Sequence, residues 1–300
     1  MSNSQEGNYI EQAINHAAQL HMSGRLPEAK NEYARILESE PGQPVALHLL
    51  GVLSHQMGNS DQAIKLIEQA LTVMPEYAEA HSNLGNVFRE TGRLKEASAC
   101  YRRALHLAPD YAEAHYNLAQ TLRELGEVEE SLDSFQNVVK NAHDFAEGHN
   151  DLGALLLDLE RHQEAIDSFQ TAIALKPEFA EAHSNLGNAH VEMGQLEEAI
   201  QSYKRALAIR SDLSEVHSNL GQALWETGKF EEGIESFREA LAIQPNDGKT
   251  HHSMGMALLD AGKHKEGLKH KRLGGGVIEF TSDGKDGFRI LGGVTGEDTR

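Results

Sequence analysis

Cysteine is almost absent from this chain. Cys100 stands alone among 300 residues, so no intrachain disulfide can form and packing must hold the fold. A lone cysteine suits a reducing compartment, and a cytoplasmic location is the expectation. Long apolar runs are missing too: eighteen apolar residues never occur together, so no membrane-spanning helix is expected. The opening MSNSQEGNYIEQA has neither the basic nor the apolar region of a signal peptide. Positive charge is scarce, with 27 Lys and Arg against 46 Asp and Glu and a net charge of −19. That balance argues against nucleic acid and anionic membrane as partners and favours a neutral or basic one. Aromatic residues make up 6% of the chain and hydrophobic residues 39%, which suits many thin cores better than one large one.

What the chain does have is repetition. AEAHSNLGN occupies residues 78–86 and again 180–188, a separation of 102 residues, or three times 34. Rows of 34 then start at 10, 44, 78, 112, 146, 180, 214 and 248 without insertion or deletion, a period typical of solenoids. Column seven is apolar in Leu50, Leu84, Leu118, Leu152, Leu186, Leu220 and Met254. Column eight is always small, as in Gly51, Gly85 and Ala119, and column twenty is small as well. Column twenty-four is bulky in Tyr33, Ile67, Tyr101, Phe135, Phe169, Tyr203 and Phe237. Small residues let two helix backbones approach while the large ones fill the hollow beside them. Column fifteen is glycine in seven rows, a left-handed stop for a first helix, with Glu160 the exception that predicts a strained or differently built turn. Of seven prolines, five fall in column thirty-two (Pro41, Pro75, Pro109, Pro177 and Pro245), where each ends a second helix. Each row reads as helix, glycine turn, helix, proline stop.

These columns resemble the tetratricopeptide repeat over about residues 10–272. The resemblance implies an all-α fold: a right-handed α-solenoid, or superhelix, of seven to eight helix-turn-helix repeats, the last partial and cap-like. One departure concerns column four. The family's bulky aromatic is replaced by His81, His115, His149, His183, His217 and His251. Equivalent residues on stacked helices stand about 8–10 Å apart, too far for one metal with bonds of about 2 Å. The rings are therefore expected to pack as the aromatic would, and no metal or cofactor is expected.

Column six holds a polar residue beside the buried leucine: Asn83, Asn117, Asp151, Asn185 and Asn219, with Asn86, Gln120, Asn188 and Gln222 in column nine. Asparagine is a mediocre helix former and costly to bury alone. Two uses fit its recurrence. The amides can brace neighbouring first helices, or they can grip the backbone of an extended peptide, since a carboxamide offers one acceptor and two donors. The second use resembles the asparagine ladder in the repeat region of O-linked N-acetylglucosamine transferases. That likeness implies peptide binding on the concave face. Column thirteen (Glu90, Glu124, Asp158, Glu192 and Glu226) adds an acidic stripe that favours a basic partner, partly offset by Arg89 and Arg123. The carboxylate clamp of chaperone-binding repeats needs basic residues at columns two, five and six, which are mostly acidic or uncharged here.

Outside the rows, residues 1–9 are expected to be disordered. The segment 273–300 reads as a glycine-rich tail, either a β-hairpin over about 277–281 and 288–291 or the start of a truncated domain. KHKEGLKHKR at 263–272 supplies a polar end to the array, with Lys271 where the aromatic belongs. No phosphate loop, zinc-protease motif or nucleophile elbow is present in the sequence. His-x-Glu triplets at His162, His190 and His264 lie on predicted helices and lack the barrel that iron oxygenases use. The expectation is a non-catalytic scaffold that binds an extended, neutral to basic protein segment and is also capable of self-association. The alternative is the substrate-recruiting arm of an enzyme, a glycosyltransferase or an oxygenase, whose catalytic domain is absent or separate.

Overall fold

The computed structural model describes residues 3–275. The described residues form sixteen helices in two units, Met1–His143 and Asp144–Arg300. The tail expected to form a hairpin lies outside the described residues.

The first unit holds α1 (Asn3–Met22), α2 (Leu26–Ser39), α3 (Pro44–Gln56), α4 (Ser60–Val73), α5 (Ala78–Glu90), α6 (Leu94–Leu107), α7 (Ala112–Leu125) and α8 (Val128–Asn141). The second holds α9 (Ala146–Asp158), α10 (His162–Leu175), α11 (Ala180–Glu192), α12 (Leu196–Ile209), α13 (Ser214–Glu226), α14 (Phe230–Ile243), α15 (Gly248–Asp260) and α16 (His264–Leu273). Odd-numbered helices are first helices and even-numbered ones second. From α3 onward each first helix opens on the first residue of a row. Only α1 starts early, at Asn3, so residues 3–9 are helical where the sequence suggests a disordered end. Within each unit every helix packs on its sequence neighbours. Adjacent first helices also touch, as in α5 with α7 and α11 with α13, and among the described residues no pair of second helices shows comparable contact. The first helices therefore line the inner side of each unit's curve.

The small and large columns meet as their sizes require. A Cβ added at Gly85 would stand 2.6 Å from the Tyr101 ring, and one at Gly187 2.5 Å from Tyr203. Tyr33, Tyr101, Phe135, Phe169, Tyr203 and Phe237 are all essentially inaccessible to solvent. In the last repeat the stem of Lys271 takes the aromatic's place against Gly255 and is buried.

Glu160 adopts φ 59°, beside the glycines of the same column at 70° to 81°. Its turn is otherwise built like theirs. Arg161 N–H donates to Leu156 O at 2.9 Å, as Gln195 N–H does to His190 O at 2.8 Å. The expectation of a strained turn holds, and that of a different construction does not. A left-handed non-glycine residue costs about 1–2 kcal/mol, part of which glycine returns as unfolded-state entropy. Glu160→Gly is expected to stabilise the second unit by about 0.5–1 kcal/mol in urea unfolding. Equal or lower stability would show that the turn is not strained.

Candidate functional site

The nine polar residues singled out in columns six and nine lie on five successive first helices. Asn83 and Asn86 are on α5, Asn117 and Gln120 on α7, Asp151 on α9, Asn185 and Asn188 on α11, and Asn219 and Gln222 on α13. All nine are half-buried. Within each unit their period places them on the face that adjacent first helices turn toward one another.

Much of this polarity is spent inside the protein. Asn86 is a hub: its Oδ1 accepts from Tyr101 OH at 2.8 Å and from Asn117 Nδ2 at 3.0 Å. The second unit repeats the arrangement, with Asn188 Oδ1 accepting from Tyr203 OH at 2.8 Å and from Asn219 Nδ2 at 3.2 Å. Each hub joins both helices of one repeat to the first helix of the next. The other two column-six amides reach back to column five instead. Asn83 Nδ2 donates to His48 Nε2 at 2.8 Å, and Asn185 Nδ2 donates to Asn150 Oδ1 at 3.0 Å. Asn150 also donates to Asp151 at 3.2 Å, and Gln222 to Glu226 at 2.6 Å. Asn83, Asn117, Asn185 and Asn219 thus each give one N–H to the preceding repeat. A carboxamide has two such protons and an oxygen that can accept twice, so the brace uses one of four possible bonds on Asn117, Asn185 and Asn219.

Tyr101, Tyr203, His48 and Asn150 are working members of this network that the sequence reading did not select. For the tyrosines a signal existed. Column twenty-four carries a hydroxyl in the two rows where column nine is asparagine, whereas Phe135, Phe169 and Phe237 go with Gln120, Ala154 and Gln222. Row one breaks the rule: Ala18 stands opposite Tyr33, whose buried hydroxyl has no partner. Burial pushes the Tyr33 phenol up to about 12 and raises Tyr101 and Tyr203 as well.

Five of the six column-four histidines are structural, by a bond that the sequence cannot display. Nε2 of His81, His115, His183, His217 and His251 donates to the carbonyl of the residue six positions earlier, at 2.9–3.0 Å. That carbonyl belongs to Pro75, Pro109, Pro177, Ser211 or Pro245, so each ring ties the start of a first helix to the turn before it. His81 is held below its ordinary pKa chiefly by burial, a loss that the Pro75 bond opposes. Among the described residues no group of three His, Cys, Asp or Glu side chains is placed to hold a metal ion. Burial raises the Cys100 thiol to about 11, so it carries little thiolate at neutral pH.

The acidic stripe is likewise partly answered from within. A donor in column twelve of one repeat meets column thirteen of the next: His55 with Glu90 at 2.8 Å, Arg89 with Glu124 at 3.0 Å, and Trp225 Nε1 with Asp260 at 2.8 Å. Leu157 and Val191 occupy the donor position ahead of Glu192 and Glu226, so this pairing is not available to those two carboxylates. In the first unit a groove of about 640 Å³ opens between α5 and α7. Asn86, Asn117 and Tyr101 line it with Glu90, Glu113 and Tyr116, and the Arg89–Glu124 pair borders it as well.

The comparisons with known proteins agree with the repeat architecture. No curated protein matches the chain. Among solved structures, MamA is 25% identical, with a TM-score of 0.52 over 54% of this chain and 95% of that one. YrrB, described as a TPR protein with an unusual peptide-binding site, is 21% identical, with a TM-score of 0.56 over 61% of this chain and 95% of its own. The C-terminal part of a TPR repeat-containing protein from Cytophaga hutchinsonii has a TM-score of 0.66 at 12% identity, over 80% of this chain and 98% of that one. Sequence profiles described as TPR repeat match residues 85–123, 155–194 and 187–228, and others described as tetratricopeptide repeat match 48–99, 112–142 and 214–247. With more than half of its length matched in this way, and helix pairs in the same register, the chain belongs to the tetratricopeptide repeat family.

Proposed function

We propose that the protein is a non-catalytic interaction scaffold and that, within a unit, the first helices bind an extended protein segment along the face that carries the column-six and column-nine amides. The observation behind this reading is that half-buried amides recur at one position on first helices, and that in the first unit two of them line an open groove together with Glu90 and Glu113. The brace leaves Asn117, Asn185 and Asn219 a second N–H and an oxygen, enough to pair with a peptide C=O and N–H. Each such bond contributes about 0.5–1.5 kcal/mol net, so several together give affinity of roughly micromolar order. YrrB, similar in fold, is a TPR protein described as having a peptide-binding site. No helix among the described residues is long and apolar enough to cross a membrane, and a cytoplasmic location belongs to this proposal. A preference for basic segments would centre on Glu192 and Glu226, where the preceding repeats offer no column-twelve donor.

The test is a backbone scan of a peptide from any partner captured on the protein. Amides that read backbone predict that N-methylation at alternate peptide bonds weakens binding about tenfold or more, as loss of one or two such bonds requires. Alanine replacement of the peptide side chains should cost less than about threefold. The reverse pattern would mean that side chains are read and the amides serve only as braces.

A further inference from the structure

Every junction between repeats has a residue just ahead of the first helix, in column thirty-four. It is Tyr77, Tyr111, Phe145, Phe179 and Leu213 at five junctions in succession, but Gln43 at the first and Asp247 at the last. Tyr77 shows what the bulky residue does. Its ring lies edge-on against His48 of α3, with centroids 4.8 Å apart, and packs on the core of the first unit. Leu213 packs on the core of the second unit in the same way. At the last junction Thr250 bonds across to Ser218 at 2.8 Å instead.

At the first junction that column holds no ring, and among the described residues the aromatic side chain that borders the same place, Tyr9 of α1, is exposed. Gln43 folds its side chain back to cap α3, its Oε1 accepting from Ala46 N–H at 2.9 Å. Ile14 is the counterpart of His48 on α1, and together with Gln43 it borders an open groove of about 1070 Å³. Ile10, Ile36 and Val45 give the groove an apolar lining. Glu11, Glu38 and Glu40 stand at its edge, while Arg35, the cation there, is bonded to Glu32 at 3.1 Å. The groove thus combines an apolar wall with an excess of carboxylate.

We propose that this groove is a second binding site, separate from the amide face, that accepts a phenylalanine or tyrosine side chain flanked by lysine or arginine on a partner peptide. The ring supplies from outside the contact that Tyr77 makes from within at the next junction, and the flanking cations answer the carboxylates. The proposal does not rest on the amide-face reading, because no column-six or column-nine amide other than Asn15 of the first row borders the groove.

The experiment uses the full chain and a fluorescein-labelled peptide, Ser-Lys-Lys-Phe-Lys-Lys-Ser, at about 0.15 M salt so that long-range charge is screened. Binding is read by anisotropy and by methyl NMR. The phenylalanine peptide is expected to bind about tenfold or more tightly than its alanine counterpart, as burial of one aromatic side chain implies. The shifts should fall on Ile10, Ile14 and Ile36. Gln43→Tyr, which supplies the missing ring, is expected to reduce binding to the alanine level and raise the melting temperature. Glu38→Lys with Glu40→Lys should weaken binding without altering the fold. Asn117→Ala should leave it unchanged, which separates failure here from failure of the amide-face reading. Equal binding of the two peptides, no binding of either, or shifts confined to α5 and α7 would overturn the proposal.

Discussion

Replacing Asn86 by leucine is expected to destabilise the first unit by about 2 kcal/mol, and adding Tyr101→Phe to return most of that loss. Leucine nearly matches asparagine in size but accepts no hydrogen bond, and its apolar body keeps water from the vacated position. The Tyr101 hydroxyl is then buried without a partner, which costs about 1–3 kcal/mol. Asn117 loses its acceptor as well, but it is half-buried and can turn to water. Phenylalanine in place of Tyr101 removes the orphan, so the double variant should be much more stable than the sum of the single effects predicts. Row one supplies an internal control. The Tyr33 hydroxyl is already buried without a partner opposite Ala18, so Tyr33→Phe should be neutral or stabilise by about 1 kcal/mol. Urea unfolding of the parent, the two single variants, the double variant and Tyr33→Phe decides the matter. Strict additivity of Asn86→Leu and Tyr101→Phe would show that the hydroxyl and the amide are not coupled, and a loss on Tyr33→Phe would show that a buried hydroxyl stabilises this column without an amide partner.

That cycle also bears on why some of the protein was legible in its sequence and some was not. Helices, turns and the close approach at Gly85 could be read because each depends on residues within one row: a small column facing a large one, a glycine, a proline. The inner face was harder. Its bonds join residues 31 or 35 apart, between different columns of neighbouring rows, as Asn117 meets Asn86 and Asn83 meets His48. Reading down a column shows that asparagine recurs and hides what it touches. Reading rows as spatial neighbours would have paired His55 with Glu90 and Arg89 with Glu124, and so reduced the acidic stripe from a surface signal to a partly internal one. The column-four histidines were beyond any such reading, because their acceptor is a main-chain carbonyl with no letter in the sequence. Gln43 was legible in principle: it is a polar residue in a column that turns aromatic at the next junction.

His48 makes the protein acid-sensitive in a defined window. It is fully buried, and both ring nitrogens are bonded to neutral groups: Nε2 accepts from Asn83, and Nδ1–H donates to Tyr77 OH at 2.9 Å. Burial lowers its pKa from an ordinary 6.5 to about 4. The unfolded chain therefore binds a proton below about pH 6.5 that the folded protein refuses until about pH 4. The stability that the neutral ring contributes is fully present above pH 6.5. It falls by about 2 kcal/mol by pH 5 and about 3 kcal/mol by pH 4. Row five points to the variant that isolates this effect. There Asn150 occupies the same column and accepts from Asn185 as His48 does from Asn83. His48→Asn should keep the brace, lose the Tyr77 bond, and be less stable than the parent at pH 7 by about 1–2 kcal/mol. It has no proton to gain, so the gap between the two proteins should close as the pH falls and invert near pH 5. Urea midpoints measured at pH 7, 6 and 5 test this directly. A gap that stays constant across that range would mean that the ring titrates in the folded protein much as it does in the unfolded chain.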